Sequence, residues 1–98
     1  MQVNYRTNKL QKQCTNFFKA RKAYGLAVAE KLHQRIDEIT AADSIEMLVQ
    51  CKIGRCHPLH GNRKDQFAMD LVHPHRLVFE KYNGQLHVVQ VVEIVDYH

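Results

Sequence analysis

The sequence ends in Asp96-Tyr97-His98, three side chains suited to proton transfer or to contact with a phosphate. They directly follow a valine-rich apolar run over 86–95, which predicts a buried strand. A carboxylate, a phenol and an imidazole at a strand tip can serve as base, acid or orienting group. This triplet is therefore the first candidate for a reactive site.

His57 is the second candidate, because it stands at a predicted strand end close in sequence to arginine and lysine. If the fold brings His57 and His98 to one face of a sheet, their imidazoles can act as base and acid in one reaction. Asp96 lies two residues before His98, on the same strand face, and would orient a ring. His33, on a predicted helix, and His87, in the last strand, are interpreted as structural.

A zinc site is the alternative interpretation of the segment around His57. Cys51, Cys56, His57 and His60 supply thiol and imidazole ligands, but Cys56 and His57 are adjacent and point to opposite faces of an extended strand. We therefore expect no metal site. Cys14 falls on an apolar helical stripe and is expected in the core.

The elements that position these groups are helical in the first half of the chain. Apolar residues recur there at helical spacing, and Gly25 after Tyr24 is typical of a helix end. The predicted elements are a strand over 2–5, a helix over 10–21 capped by Thr7 or Asn8, a second helix over 28–39, and a short helix over 44–49 opened by a capping box at 43–46.

The second half alternates with a period of two, which predicts strands over 66–71, 76–80 and 86–95. His73-Pro74-His75 marks one turn, and Asn83-Gly84 predicts a two-residue type I′ hairpin. The last strand is apolar on both faces, so we expect it to be central. The pattern predicts one α+β domain over 1–98, with an N-terminal helical hairpin packed on a small, mostly antiparallel sheet.

The charge is +4, with a pI of about 9.1, and it is unevenly distributed. The segments 1–29 and 47–64 contain no carboxylate, and each carries several lysines and arginines. Such segments suit a polyanion such as nucleic acid, or else form solvated surface. No apolar stretch is long enough to span a bilayer, the N-terminus lacks a signal-peptide pattern, and three cysteines suit a reducing compartment. We expect a cytoplasmic protein without membrane contact.

The chain resembles the HigB-type toxins of the RelE/ParE superfamily. The resemblance rests on the helical pair and on three motifs: His57-Pro58-Leu59-x-Gly61 followed by Arg63-Lys64, Arg76-Leu77-x-Phe79, and the ending Val92-Glu93-Ile94-Val95-Asp96-Tyr97-His98. These toxins enter the ribosomal A site and cut mRNA without a cofactor. Each is neutralised by an antitoxin, commonly a HigA-like protein with a helix-turn-helix domain.

The resemblance implies a role for each matching residue. The implied catalytic set is His57, Arg76, Asp96, Tyr97 and His98, and the implied RNA-binding set is Lys9, Lys12, Arg55, His60, Arg63, Lys64 and His75. The chain departs from the family pattern at two of these positions. His75 stands where an aromatic residue usually precedes the arginine, and His60 replaces a lysine.

Cleavage of RNA without a metal needs a base for the 2′-hydroxyl, an acid for the leaving 5′-oxygen and a cation for the phosphorane. His57 and His98 are assigned to proton transfer, Asp96 to orientation, Tyr97 to phosphate contact or base stacking, and Arg76 to the phosphorane. Three other interpretations stay open. They are a toxin of the same fold that poisons gyrase, an RNA- or partner-binding module without catalysis, and a small α+β domain whose polar ending is incidental.

Overall fold

In a computed structural model of the chain, which describes residues 1–96, helices pack on one face of a five-stranded sheet. The predicted α+β class is therefore confirmed. The elements are β1 (Gln2–Tyr5), α1 (Asn8–Thr15), α2 (Phe17–Tyr24), α3 (Leu26–Ala41), α4 (Ile45–Gln50), β2 (His57–Pro58), β3 (Gln66–Asp70), β4 (His75–Lys81) and β5 (Val88–Asp96), with short 3₁₀ turns at Ile53–Arg55 and Gly61–Arg63.

The strand order is β1-β5-β4-β3-β2, and only the β1–β5 pair is parallel among the described strands. The expectation of a mostly antiparallel sheet is confirmed. β5 pairs on both sides, as its apolar composition predicted. A bulge places Val78 opposite Glu93 and Phe79 opposite Val91, so Val92 is the extra residue.

The single helix predicted over 10–21 is wrong, because the helical path breaks at Asn16. Its backbone is extended (φ −125°, ψ 108°), and its side-chain Oδ1 accepts hydrogen bonds from the backbone N–H groups of Phe18 and Lys19. Asparagine competes with the helix for these donors and favours a cap. Thr7 caps α1 as predicted, since its Oγ1 accepts from the Leu10 N–H at 3.1 Å.

The cap of α4 lies one residue later than predicted. Ser44 Oγ accepts from the Met47 N–H at 3.1 Å, which makes Ser44 the N-cap and the capping box over 43–46 wrong. Glu46 instead accepts a hydrogen bond from Lys81 Nζ at 2.8 Å. This bond lowers the pKa of the Glu46 carboxyl below its ordinary value.

The turn at Asn83-Gly84 has the left-handed backbone that a type I′ turn requires, with φ of 50° and 70°. Gln85 N–H donates to the Tyr82 carbonyl at 3.0 Å across this turn. The strand nevertheless resumes only at Val88, so the connection is longer than the predicted two-residue hairpin.

The main core lies between the helices and one face of the sheet. It contains Leu32 and Ile39 of α3 against Leu77, Phe79 and other inward residues of the strands. Cys14 belongs to it, as expected, and is 2% exposed.

A smaller cluster of Ala68, Val78 and Val92 lies on the opposite face of the sheet. Within residues 1–96 no helix contributes to this cluster. We call this side the open face.

Arg35 of α3 joins the helical layer to the end of β3 and to the turn before β2. Its side chain is only 11% exposed, and its Nε donates to the backbone carbonyl of Asp70 at 2.7 Å while Nη1 pairs with Glu38 at 2.7 Å. Gly54 lies directly against this guanidinium, because a Cβ added there would stand 2.6 Å from Arg35 Nε. Only glycine fits this position, which also has a φ of +57°.

Gly54→Ala should therefore destabilise the fold by more than the cost of a left-handed alanine, which is about 1–3 kcal/mol. Gly61→Ala is the matched control, because Gly61 has a φ of +67° but no heavy atom within 4 Å of its added Cβ. Thermal melting should show the larger loss for Gly54→Ala, at roughly 4–8 °C per kcal/mol. Equal losses in the two variants would contradict the contact with Arg35.

Candidate active site

Two arginines share the carboxylate of Asp70 where β3 ends. Asp70 Oδ2 accepts from Arg55 Nε at 2.5 Å, and Oδ1 lies 3.4 Å from Arg55 Nη2 and 3.5 Å from Arg76 Nε. The hydrogen bond to Asp70 raises the pKa of the Arg55 guanidinium. Asp70 and Arg76 meet because they are directly opposite in the β3–β4 ladder.

The ring of His57 is held by the backbone of the turn before it. His57 Nδ1 lies 2.8 Å from the carbonyl oxygen of Arg55. A carbonyl can only accept, so Nδ1 carries the proton, and the lone pair of the neutral ring is on Nε2. Nε2 is therefore the atom of His57 that can take a proton from a substrate.

The sheet register places His57 and Arg76 on the open face. His57 is opposite Ala68, which is opposite Val78, and Arg76 is two residues from Val78 along β4. Directly opposite residues share a face, and so do residues two apart. Two strand spacings and two residues of rise separate the two Cα atoms by roughly 12 Å.

Asp96 lies on β5, next to the first residue of β4 and on the side away from β3. It pairs with His75 across the β4–β5 ladder, so the two share the face that the helices cover. The His75 ring packs edge-on against Tyr24 of α2, with 5.6 Å between ring centroids. The register therefore places Asp96 and His57 on opposite faces. Tyr97 and His98, the other terminal residues of the predicted catalytic set, lie outside the described residues.

A cavity of about 220 Å³ opens beside Asp70 and is lined mainly by polar side chains. Its polar lining contains one carboxylate, two guanidinium groups and two imidazoles, which belong to Asp70, Arg55, Arg76, His73 and His75. A cavity with this excess of cationic and protonatable groups suits an anion such as a phosphate. Three predicted site residues, Arg55, His75 and Arg76, thus come together here.

The predicted RNA-binding residues of the next turn lie at the other end of the open face. Arg63 reaches across the sheet to Glu93 of β5 with Nη2, and its Nε donates to Gln66 Oε1 at 2.8 Å. His60 and Lys64 are exposed beside it. The Arg63 guanidinium is thus fixed over the open face, while its two basic neighbours face solvent.

Lys9 and Lys12 do not join this group, because they lie on α1 in the helical layer. They line a groove of about 420 Å³ together with Lys19 and Lys22 of α2. Leu10 on the same helix is buried in the main core, which turns the lysines away from the sheet. The predicted RNA-binding residues therefore occupy two separate surfaces.

The two histidines interpreted as structural both contact backbone. His33 Nε2 lies 3.1 Å from the Gln13 carbonyl and its ring packs against Phe17. His87 Nδ1 lies 3.0 Å from the Asp43 carbonyl, which is the same kind of contact that His57 makes. His87 is exposed and is not part of the open-face groups described above, so it offers a natural control for His57.

The three cysteines differ in exposure. Burial raises the pKa of the Cys14 thiol to about 12, and it does the same for Cys56. Cys51 is exposed. Among residues 1–96, no three histidine, cysteine, aspartate or glutamate side chains cluster closely enough to hold a metal ion.

We expect iodoacetamide at mildly alkaline pH to alkylate Cys51 in the folded protein and to leave Cys14 and Cys56 intact, since a buried thiol with a raised pKa forms little thiolate. Mass spectrometry of the peptides measures the labelling. The same reaction in denaturant should label all three. Rapid labelling of Cys14 under native conditions would contradict its position in the core.

The sequence pattern presents Asp70 only as a polar residue on an alternating strand, and its contacts with Arg55 and Arg76 were not predicted. The signal was its spacing from Arg76. A turn centred on His73-Pro74-His75 makes these two residues cross-strand partners, and opposite charges at such positions attract. Arg35 and Gly54 carried no such signal, because their contact depends on how the helical layer sits on the sheet.

The fold is shared with solved toxin structures. The chain matches a YoeB/ParE toxin from Agrobacterium tumefaciens with a TM-score of 0.68 at 13% identity, covering 100% of each chain. It matches a YoeB–YefM complex from Staphylococcus aureus with a TM-score of 0.65 and a YoeB dimer from the same organism with 0.64, each at 15% identity and covering 100% of this chain and 97% of that one.

No protein-family model matches the chain, and no curated protein sequence does either. At these identities the structural likeness establishes the fold alone. The expected RelE/ParE-type fold is thus confirmed at the level of YoeB/ParE toxins. In residues 1–96 there is no helix with the length and apolar character needed to cross a membrane.

Proposed function

We propose that this protein is the toxin of a type II toxin–antitoxin system and a ribosome-dependent mRNA endoribonuclease of the HigB type. The observation that carries the proposal is the placement of His57 and Arg76 on the open face, where the Arg55 carbonyl holds His57 and Asp70 holds Arg76. A histidine with an accepting Nε2 and an arginine oriented by a carboxylate stand on the open face of the sheet, beside a cavity suited to a phosphate. The fold shared with YoeB/ParE toxins supports the toxin part of this proposal.

The chemistry needs a base, an acid and a cation, and no cofactor. His57 Nε2 takes or returns a proton at the ribose or at the leaving oxygen, and His98 performs the complementary transfer. Arg76 stabilises the charge of the phosphorane. Asp96 orients a ring or serves as the alternate base, and Tyr97 contacts the phosphate or stacks on a base.

Two basic surfaces of the protein would bind the ribosome and its mRNA. Arg55 beside the cavity, with His60, Arg63 and Lys64 on the neighbouring turn, would contact mRNA at the open face. His75, which the register places on the helix-covered side, would contact it only where it lines the cavity. Lys9 and Lys12 on the helical layer would contact ribosomal RNA backbone. A cytoplasmic location follows from such a target.

An antitoxin must cover a toxin of this kind. One of the structural neighbours is a complex of YoeB with YefM, and we propose a HigA-like helix-turn-helix antitoxin for this chain. A toxin of the same fold that poisons gyrase is the second candidate. The placement of Asp96 and His57 on opposite faces favours it, because these two residues would then not act as one catalytic set.

Induction of the wild-type chain in bacteria should arrest growth and produce new mRNA ends at ribosome-occupied codons. His57→Gln, Asp96→Ala and His98→Ala should each abolish the cuts, because general acid–base groups contribute about 10²–10⁴-fold. Primer extension maps the ends. His87→Ala is the matched control and should cut like wild type.

Arrest without new mRNA ends would sink the ribonuclease assignment. Gyrase-linked DNA breaks in that case would favour the second candidate. Equal expression and equal thermal melting of all variants, checked in parallel, would separate an effect on chemistry from an effect on folding.

The lysine surface predicts a change in salt dependence. Lys9→Gln with Lys12→Gln should weaken binding to ribosomes and make the plot of log affinity against log salt shallower, by up to about 0.7–0.9 for each phosphate that a lysine no longer neutralises. A filter-binding titration over several salt concentrations measures it. Lys31→Gln with Lys81→Gln removes the same charge outside both basic segments and should change the slope less. Equal changes in slope for the two double variants would contradict a role for Lys9 and Lys12 in ribosome binding.

A further inference from the structure

We propose that Asp70 is a positioning residue of the active site, which fixes Arg76 directly and His57 through Arg55. This inference rests on the proposed ribonuclease function. Neither the motifs nor the resemblance assigns a role to Asp70. It follows from three observations about the end of β3.

The first observation is the shared carboxylate. Arg55 is 66% exposed along its side chain, and its Nε and Nη2 lie 2.5 and 3.4 Å from the two oxygens of Asp70. Arg76, 30% exposed, has its Nε 3.5 Å from Oδ1. An exposed guanidinium without such an anchor samples many rotamers, whereas a carboxylate accepting on both oxygens selects one orientation.

The second observation is that Asp70 itself cannot move easily. Its backbone carbonyl accepts from Arg35 Nε at 2.7 Å, and that arginine is almost buried between α3 and the turn at Gly54. Its strand neighbour Met69 is fully buried in the main core. The carboxylate is therefore attached to a rigid part of the molecule, as a positioning group must be.

The third observation is that Arg55 connects Asp70 to His57. The carbonyl that holds His57 Nδ1 belongs to Arg55, whose backbone is left-handed with a φ of 54°. This conformation is unfavourable for a residue with a Cβ and persists only where neighbouring contacts enforce it. The ion pair to Asp70 is such a contact, so loss of the carboxylate would release both the arginine and the imidazole.

The negative charge of Asp70 should weaken the binding of RNA. The positioning role of Asp70 can therefore be tested by measuring binding and cleavage separately. A carboxylate beside a phosphate site repels the substrate. Removing its charge should therefore strengthen RNA binding while it slows cleavage of the bound RNA. A residue that merely supports the fold would weaken both together.

The test uses Asp70→Asn, with Asp65→Asn as the matched control for net charge. Single-turnover cleavage of ribosome-bound mRNA at saturating toxin measures the chemical step. Affinity is measured on the same complex carrying a 2′-deoxynucleotide at the cleavage position, which cannot be cut. We expect Asp70→Asn to bind more tightly than wild type and to cleave about 10–100-fold more slowly, since a displacement of about 1 Å can cost about 10²-fold. Asp65→Asn should cleave at the wild-type rate.

A second substitution separates position from charge. Asp70→Glu keeps the charge but moves the carboxylate by one methylene, so it should cleave slowly with unchanged affinity. Cleavage by both Asp70 variants at the wild-type rate would overturn the positioning role alone. A parallel loss of rate, affinity and melting temperature in both would also overturn it. A wild-type chain that cuts no mRNA would overturn the proposed function and this role with it.

Discussion

The buried guanidinium of Arg35 joins the parts of the molecule on which the candidate site depends. It extends from α3, pairs with Glu38 one turn later on the same helix, donates to the carbonyl of Asp70 at the end of β3, and lies against Gly54. A charge that is 11% exposed is stable only when its donors are satisfied, so the helix, the strand and the turn must keep one relative arrangement. The positions of Asp70, Arg55 and Arg76 on the open face depend on this arrangement.

The two faces of the sheet have different roles. Its helix-covered face supplies the hydrophobic core, and the apolar part of its open face, in residues 1–96, is the small cluster around Val78. At one end Asp70 lies between Arg55 and Arg76, and beside the cluster Arg63 reaches Glu93, which lies opposite Val78. The middle of this face is itself buried, because Ala68 and Val78 are 0% exposed and Val92 is 4% exposed.

Local signals predicted the architecture well. The positions of β1, β3, β4 and β5, though not the start of β5, follow from short-range periodicity, as does the apolar stripe of the second predicted helix. The left-handed turn at Asn83-Gly84 follows from turn chemistry. Asn16 and Ser44 show where this fails, since each carries a side chain that competes for backbone donors and shifts an element boundary. The motif residues His57 and Arg76 were found from sequence, whereas the link between them, through Asp70 and Arg55, requires three-dimensional contacts that no local pattern encodes.

The parallel pairing of β1 with β5 has a consequence for the order in which the chain can fold. Within residues 1–96, β1 lies at the sheet edge and pairs with β5 alone, with Gln2 opposite Val88 and Tyr5 opposite Val91. Until that late segment emerges, β1 has no partner in the sheet, and β4 lacks a neighbour on one side. Closing so long a loop is entropically unfavourable and slows folding. The complete sheet can therefore form only after β5 has been synthesised.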